Sequence, residues 1–205
     1  MSRWKPDARG RLEKAALDLY NNQGFDATTV TEIATHAGVT ERTFYRHFAD
    51  KREVLFPGDN PLIAPLANAT AAAPAALPPL EVIAHALTEA APVFEEREDL
   101  IRQRQAVIAA NPELQERELA KLAALASTLA HALRERGLET ITAVLAAEIG
   151  IAAFKVAFER WVNDPGRHTL AQHIRETLDT TRRLTTTDEH AATTDDSAGP
   201  IRLDS

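Results

Sequence analysis

Apolar residues recur at helical spacing along most of this chain, and no stretch shows the strict alternation that marks a strand. Near the N-terminus, a stripe from Leu12 to Tyr20 predicts a helix that Gly24 ends. From Leu80 to about Arg183 the same spacing predicts a series of long helices. The breaks expected between them lie at Pro92, Asn111-Pro112, Gly137 and residues 163–166. The pattern therefore predicts an all-α protein without internal repeats.

Residues 29–48 predict two short helices joined by a tight turn. Thr29 is a suitable N-cap for the first helix, and Gly38 ends it because glycine tolerates a left-handed backbone. Thr40 caps the second helix, in which Phe44 and Phe48 share one face. The opposite face is polar and carries Glu41, Arg42, Thr43, Arg46 and His47. This arrangement predicts a helix-turn-helix whose second helix enters the DNA major groove.

The run IATHAGVTERTFYRHFADKREVLF resembles the DNA-binding domain of the TetR family of one-component regulators. The matching features are Thr29, Ile33-Ala34, Ala37-Gly38-Val39, Phe44-Tyr45, His47-Phe48, Lys51, Leu55 and the upstream Gly24-Phe25. The resemblance covers about the first quarter of the chain. It implies a three-helix DNA-binding head and a C-terminal helical bundle for ligand binding and dimerisation. It also implies a homodimeric repressor that binds an inverted-repeat operator and is released by a small-molecule effector.

The chain divides into three predicted regions: a head at 1–56, a helical body at 57–184 and a disordered tail at 185–205. Six prolines within residues 57–79 rule out one continuous helix there, although a short helix fits residues 62–69. Residues 1–6 form either a basic arm that follows DNA or a frayed terminus. Asp50 is expected to cap a fourth helix that ends at Phe56 and, by resemblance, acts as the hinge between head and body.

Two groups of residues are predicted to contact DNA. Those expected to read bases are Glu41, Arg42 and Thr43. Those expected to contact phosphates are Thr29, Thr40, Tyr45, His47 and Lys51. Arg42 replaces the glycine of many family members and either grips guanine or forms a surface salt bridge. Glu41 either accepts from cytosine or only favours the helix start, and Tyr45 either faces DNA or is buried.

Charge is distributed unevenly along the 205 residues. The net charge is −7, but residues 1–56 carry +1 and the remainder −8, so the acidic body is expected to stay away from DNA. The chain has no cysteine, which excludes disulfides and thiolate chemistry. No apolar run approaches the roughly 20 residues that a membrane helix needs, and the N-terminus does not resemble a signal peptide. These features predict a cytoplasmic protein.

The resemblance implies a small-molecule pocket among the middle helices of the body. Its candidate lining residues are Phe94, Ile101, Arg102, Gln105, Ile108, Leu125, Leu129 and Phe154. The alternative is ordinary core for the apolar residues and solvated surface for Arg102 and Gln105. Residues 97–119 also resemble regulators that bind acyl-CoA-like ligands, which implies an acyl or otherwise hydrophobic effector.

The helix predicted for residues 140–162 is apolar on several faces and rich in small residues. It is either the central helix of the body or, as the resemblance implies, part of a dimer interface. In the second case Gly150, Phe158 and Trp161 are the expected interface residues.

An enzyme and a helical interaction protein are the alternatives to a regulator. The seven histidines are scattered, and no HExxH motif, nucleophile elbow or Gly-rich phosphate loop occurs. His168 and His173 are expected to straddle a helix start without sharing a face, so neither a metal site nor a cofactor is predicted. A helical interaction protein would not need the polar face of the second helix.

Overall fold

The computed structural model describes residues 7–56, 60, 62–164 and 166–185. Within these ranges the chain forms nine α-helices and no strand, which confirms the predicted all-α class. The helices are α1 Ala8–Gln23, α2 Val30–His36, α3 Glu41–His47, α4 Ile63–Ala72, α5 Pro79–Glu95, α6 Glu98–Ala109, α7 Pro112–Glu135, α8 Thr140–Asn163 and α9 Leu170–Thr185. The predicted arm at 1–6 and nearly all of the predicted tail lie outside the described residues.

Helices α1 to α3 pack around one apolar core that defines the head. Its members from the head are Leu12, Ala15, Ala16, Leu17, Tyr20, Phe25, Ile33, Ala34, Ala37, Phe44, Phe48, Val54, Leu55 and Phe56. Leu12 and Phe44 have no exposed surface, so the stripe of α1 supports α3 from behind as its spacing predicts. This packing leaves the polar side of α3 on the surface.

The predicted fourth helix from Asp50 to Phe56 is wrong, because residues 51–56 form successive turns. Asp50 does act as a cap: its Oδ1 accepts hydrogen bonds from the amides of Arg52 at 2.7 Å and Glu53 at 3.0 Å. The segment then continues with buried Leu55 and Phe56, which insert into the core of the head instead of extending a helix. The first helix after the head is α4, which includes the short helix expected at residues 62–69.

The remaining helices form the body around a second core. In it, α8 lies centrally and packs against α5, α7 and α9. Helix α5 continues through Pro92 to Glu95 and does not break there; Pro92 lies in its last turn, so only three helical residues follow it. A ring cluster of Phe94, Phe154, Phe158 and Trp161 fills one end of this core, with neighbouring centroids 5.5–5.7 Å apart.

Helix α6 belongs to both cores and joins the head to the body. Val107 and Ile108 are buried with Leu114 in the core of the head, whereas Ile101 packs against the core of the body. The predicted head ends at residue 56 in the sequence, but its core also includes side chains from α6 and the start of α7.

Helix α8 is long and apolar enough to cross a membrane, which corrects the expectation that no such segment exists. Half of its most apolar window is buried against the rest of the chain. The exposed large apolar residues of α8 are Ile141, Val144, Leu145, Ile149 and Val156. Their spacing places them along one side of the helix, opposite the side that forms the core.

Candidate functional site

The turn between α2 and α3 is fixed by backbone geometry. Gly38 has φ of 66°, the left-handed region in which a side chain is strained. The amide of Val39 donates to the carbonyl of Ala34 at 2.9 Å, which ends α2 in a tight cap. Arg11 of α1 donates from Nη1 to the carbonyl of Ala37 at 2.7 Å. The first helix therefore holds the turn that sets the direction of α3.

Both helices of the motif begin at the threonines that the sequence predicts as caps. The Thr29 hydroxyl accepts from the Glu32 amide, and the Glu32 carboxylate accepts from the Thr29 amide at 2.8 Å, a complete capping box. The bond from the Thr29 amide is the main cause that lowers the pKa of Glu32. Thr40 accepts from the Thr43 amide at 3.2 Å. Both hydroxyls lie on exposed residues, and their predicted phosphate contacts stay predictions.

The exposed side of α3 forms an open groove lined by Arg42, Thr43, Tyr45 and Arg46. Tyr45 is 56% exposed, so the alternative that its ring is buried is wrong. Arg42 forms no ion pair or hydrogen bond with any residue that the structure describes, which disfavours the salt-bridge alternative. Arg46 was assigned no role from the sequence, yet it lies in the same groove; its position one turn beyond Arg42 was the available signal.

Glu41 has a structural partner in the head. Its Oε1 accepts a hydrogen bond from the Thr31 hydroxyl at 2.5 Å, which ties the start of α3 to the first turn of α2. A carboxylate held in this way also lies at the positive end of α3. This contact favours the helix-start role of Glu41 over base reading.

Lys51 points into the head and not outward. Its Nζ donates to the carbonyls of Phe25 at 2.8 Å, Asp26 at 3.1 Å and Thr28 at 3.0 Å, and it lies 4.5 Å from the centroid of the Phe25 ring. The Tyr20 hydroxyl in turn donates to the Lys51 carbonyl at 2.6 Å. An ammonium has three donors, and all three are used here. This placement argues against the predicted phosphate contact and gives Lys51 a structural role.

His47 lies half-buried at the end of α3, beside the ring of Phe48. Its Nε2 is buried and has no hydrogen-bond partner among the described residues. The predicted phosphate contact of His47 stays a prediction.

A charged cluster surrounds Phe56 where the head meets the body. The cations of Arg104, Arg117 and Lys121 lie 5.0–5.6 Å from the centroid of its ring. Arg104 also donates to the Leu55 carbonyl at 2.8 Å and pairs with Glu118 at 2.6 Å. Burial, reinforced by Arg104, lowers the pKa of Lys121 to about 8. The end of the head is therefore clamped by side chains from α6 and α7.

The body contains one small apolar cavity of about 10 Å³ among the described residues, close to the room that one water needs. It lies between α4, α5, α7 and α8. Its lining residues are Leu62, Leu66, Leu87, Ala90, Phe94, Leu125 and Phe154. Phe94, Leu125 and Phe154, three of the predicted lining residues, therefore border this cavity, and their contact with a ligand stays a prediction.

The other predicted pocket residues are placed elsewhere. Leu129 is fully buried in the packed core, Ile101 is partly buried beside it, and Ile108 belongs to the core of the head. The Arg102 guanidinium bonds to Glu98 and to the carbonyls of Trp161 and Val162. Gln105 accepts from Arg104. Arg102 and Ile108 both make structural contacts, which argues against the prediction that they line the pocket.

The three residues predicted for the dimer interface face the interior of the chain. Trp161 is 2% exposed and Phe158 8% exposed, and a Cβ at Gly150 would lie 2.3 Å from Cγ2 of Ile83 on α5. This inward orientation argues against the interface prediction for the three residues. The alternative reading of α8 as a central helix accounts for them.

Two histidines that were expected to stay apart meet between α8 and α9. Helix α9 begins at Leu170, so His168 lies in the segment that connects α8 to α9. Its ring centroid is 5.6 Å from that of His173. Asp164 lies beside them, with its Oδ2 3.9 Å from Nδ1 of His168. Burial is the main cause that lowers the pKa of His173, followed by the positive charge of Arg160. The expectation that these side chains do not share a face is therefore wrong.

Comparison with known protein families identifies both parts of the chain. Residues 12–56 match the profile of the bacterial regulatory proteins of the tetR family, and residues 77–185 match the profile described as the MftR C-terminal domain. The second match alone covers more than half of the sequence.

The similarity to curated proteins covers only about a quarter of this chain. The regulator TcmR of Streptomyces glaucescens is 50% identical over 46 residues, which are 22% of this chain and 20% of that protein. The uncharacterised regulator YerO of Bacillus subtilis is 37% identical over 49 residues, 24% of this chain and 17% of that protein. The chain thus aligns with about a fifth of the length of these relatives.

Solved structures share the fold over nearly the whole chain. The Thermus thermophilus repressor FadR in complex with lauroyl-CoA aligns with a TM-score of 0.57 and 24% identity, covering 90% of this chain and 98% of that one. The complex of SmeT with triclosan aligns at 0.61 and 20% identity, covering 97% and 99%; SmeT is the repressor of a Stenotrophomonas maltophilia efflux pump. At these identities the likeness establishes the fold.

Proposed function

This chain belongs to the TetR family of helix-turn-helix transcription regulators, whose members bind DNA and small molecules and are not enzymes, and from that premise we propose that it is a cytoplasmic repressor. It binds an inverted-repeat operator as a homodimer. A hydrophobic effector, of which an acyl-CoA is the first candidate, releases it. The observation that carries this proposal is the exposed polar face of α3 on a head whose core is shared with the body.

DNA recognition is assigned to the groove on α3. Arg42 has no partner among the described residues and can place its guanidinium on guanine O6 and N7. Thr43, Tyr45 and Arg46 surround it and supply hydroxyl and guanidinium donors to bases and phosphates. The head carries little net charge, so we expect few phosphate contacts for each protomer and a shallow dependence of affinity on salt.

Dimerisation is assigned to the exposed apolar face of α8. Ile141 and Leu145 are 67% and 55% exposed, and Ile149 and Val156 continue the same side of the helix. Several large apolar side chains exposed on one side of a helix are typical of an interface between subunits. A two-fold pairing of this face gives an isologous interface and places two α3 helices on one operator.

The dimer assignment is tested by Leu145→Arg, which puts a charge in the middle of this face. Its control is Leu119→Arg, since Leu119 is 53% exposed on α7. Sedimentation velocity is expected to show a dimer for the parent chain and for the Leu119 variant, and a monomer for the Leu145 variant. If the Leu145 variant stayed dimeric, the α8 face would not be the interface.

Effector binding is assigned to the cavity at Phe94, Leu125 and Phe154. Its wall consists of apolar side chains, which suits an acyl chain. At about 10 Å³ the cavity is far smaller than such a ligand, so α4 and α5 have to move away from α7 and α8 when one enters. FadR of Thermus thermophilus, in complex with lauroyl-CoA, supports the choice of an acyl-CoA as the first ligand to test.

Helix α6 is assigned the role of coupling the two sites. One side of α6 packs on the body through Ile101, and α6 also contacts α5. The other side completes the head through Val107 and Ile108. A shift of α5 is therefore transmitted to the core that supports α1 and α3. Arg104 connects the same helix to Leu55 and reinforces the coupling.

The proposal is tested with labelled DNA from upstream of the coding sequence and a scrambled control, by fluorescence anisotropy at several salt concentrations. We expect specific binding of two chains per site and release on titration with lauroyl-CoA but not with free coenzyme A. Equal affinity for both DNA fragments would contradict the proposal that this protein binds an operator in the upstream fragment. Specific binding that acyl-CoA leaves unchanged would contradict only the effector class.

A further inference from the structure

We propose that Asp164, His168 and His173 form a binding site for a divalent transition-metal ion of the zinc type, at the connection between α8 and α9. This inference goes beyond the proposed function, since it involves neither the α3 groove nor the apolar cavity. The site combines two imidazoles and one carboxylate, which are preferred zinc ligands.

The geometry brings one donor atom from each residue into a small cluster. These atoms lie within 4.8 Å of one another, and Oδ2 of Asp164 is 3.9 Å from Nδ1 of His168. Around a tetrahedral ion, donor atoms are separated by roughly 3.3 Å, given metal–ligand bonds of about 2.0–2.2 Å. Small side-chain rotations of Asp164 and His168 are therefore enough to close the site, because both lie partly or fully on the surface.

The buried member of the cluster provides an independent indication of a ligand. His173 is only 2% exposed, and neither ring nitrogen has a hydrogen-bond partner among the described residues. A buried polar group without a partner costs free energy, so native structures almost always supply one. A metal ion bound to one nitrogen of His173 would remove that cost, and it would use the nitrogen that faces His168 and Asp164.

The charges around the cluster are compatible with a cation. Arg160 of α8 lies near His173, but its guanidinium pairs with Glu176 at 2.9 Å and lies 3.4 Å from the Thr177 hydroxyl. On the α5 side, Glu95 accepts from the amide of Ala171 at 3.3 Å. Glu176 therefore offsets the charge of Arg160, and the cluster itself contributes the carboxylate of Asp164.

The ligand set also indicates which ions bind. Two imidazoles and a carboxylate suit zinc, cobalt and nickel better than calcium or magnesium, which prefer oxygen ligands alone. The chain has no cysteine, so a soft thiolate site is excluded. Three protein ligands leave at least one coordination position for water.

The test uses the full-length chain without an affinity tag, after treatment with a chelator. Zinc binding is measured by titration calorimetry, and cobalt binding by the visible absorption of a tetrahedral ion. The ligand variants are His168→Asn and Asp164→Asn, both at surface positions, together with His173→Gln. The matched control is His131→Asn, since His131 is exposed on α7.

We expect one zinc per chain, a rise in thermal stability with zinc and a visible spectrum with cobalt. Each ligand variant is expected to lose at least tenfold in affinity, and the His131 variant to bind like the parent chain. Should His173→Gln fail to fold, the two surface variants still decide the question. Absence of stoichiometric binding, or equal binding by the surface variants and the parent, would overturn the proposal.

Discussion

Replacing Lys51 by methionine distinguishes two physical roles for this lysine. If the ammonium holds the segment 25–28 in place, its removal destabilises the head. If it contacts a DNA phosphate instead, its removal weakens DNA binding without affecting stability. The contacts of Nζ with three carbonyls favour the first role.

The size of the effect follows from those contacts. Hydrogen bonds to a charged group contribute about 1.5–3 kcal/mol each, and a cation near an aromatic face adds about 0.5–1 kcal/mol. Water can reach this half-buried site and replace part of the loss, so we expect Lys51→Met to lower the free energy of unfolding by about 2–4 kcal/mol. For a chain of this size that corresponds to a decrease in Tm of about 4–16 °C.

The assay pairs thermal unfolding with the salt dependence of DNA binding, and Arg46→Met serves as the control. Arg46 lies exposed in the α3 groove, so its loss is expected to leave the Tm unchanged. It should reduce the slope of log K against log salt by about 0.9 for each protomer. An unchanged Tm for Lys51→Met with the same loss of slope would refute the structural role.

Three further changes test other parts of the structure. Arg42→Ala is expected to cost about 1–3 kcal/mol on operator DNA and little on random DNA, in competition binding, because only the base contact is lost. Gly150→Ala is expected to lower the free energy of unfolding by about 1–2 kcal/mol, since the new methyl would lie 2.3 Å from Cγ2 of Ile83. In an Ile83→Ala background, where only the Cβ at 3.3 Å remains, this penalty should become smaller, which urea denaturation of the four chains measures. Burial lowers the pKa of Lys121 to about 8, so between about pH 8 and pH 10.5 the unfolded chain binds more protons than the folded chain, and the free energy of unfolding rises with pH. Lys121→Met should abolish this rise, measured between about pH 8 and pH 9.5, where tyrosine does not yet ionise.

The sequence predicts the head accurately because its signals are local. Thr29, Gly38 and Thr40 each act within four residues of their own position, as caps or as a turn, and the structure places all three as expected. The same holds for α7, which begins at Pro112 and ends shortly before Gly137, whereas Pro92 does not end α5. The spacing of apolar residues distinguishes helices from strands, and this was sufficient to predict the fold class.

The failures concern residues whose roles depend on distant parts of the chain. Lys51 finds its acceptors 23–26 residues away, and Arg102 finds carbonyls about 60 residues away at the end of α8. Trp161 and Phe158 carry the same apolar signal whether they face a partner or their own core. Whether these side chains face a partner or their own core depends on how α8 packs against the other helices. Helical spacing carries no information about that packing.

The shared position of α6 gives the regulator hypothesis its physical basis. A ligand can shift an equilibrium only by its difference in affinity for the two states, and the closed cavity beside Phe94 and Phe154 excludes an acyl chain from the present state. The ligand-bound state must therefore have a different arrangement of α5 and the helices around it. Because Val107 and Ile108 of α6 are part of the core that supports α3, that rearrangement changes the free energy of the head as well. Coupling of this kind is reciprocal, so operator DNA must weaken effector binding by the same factor by which the effector weakens DNA binding.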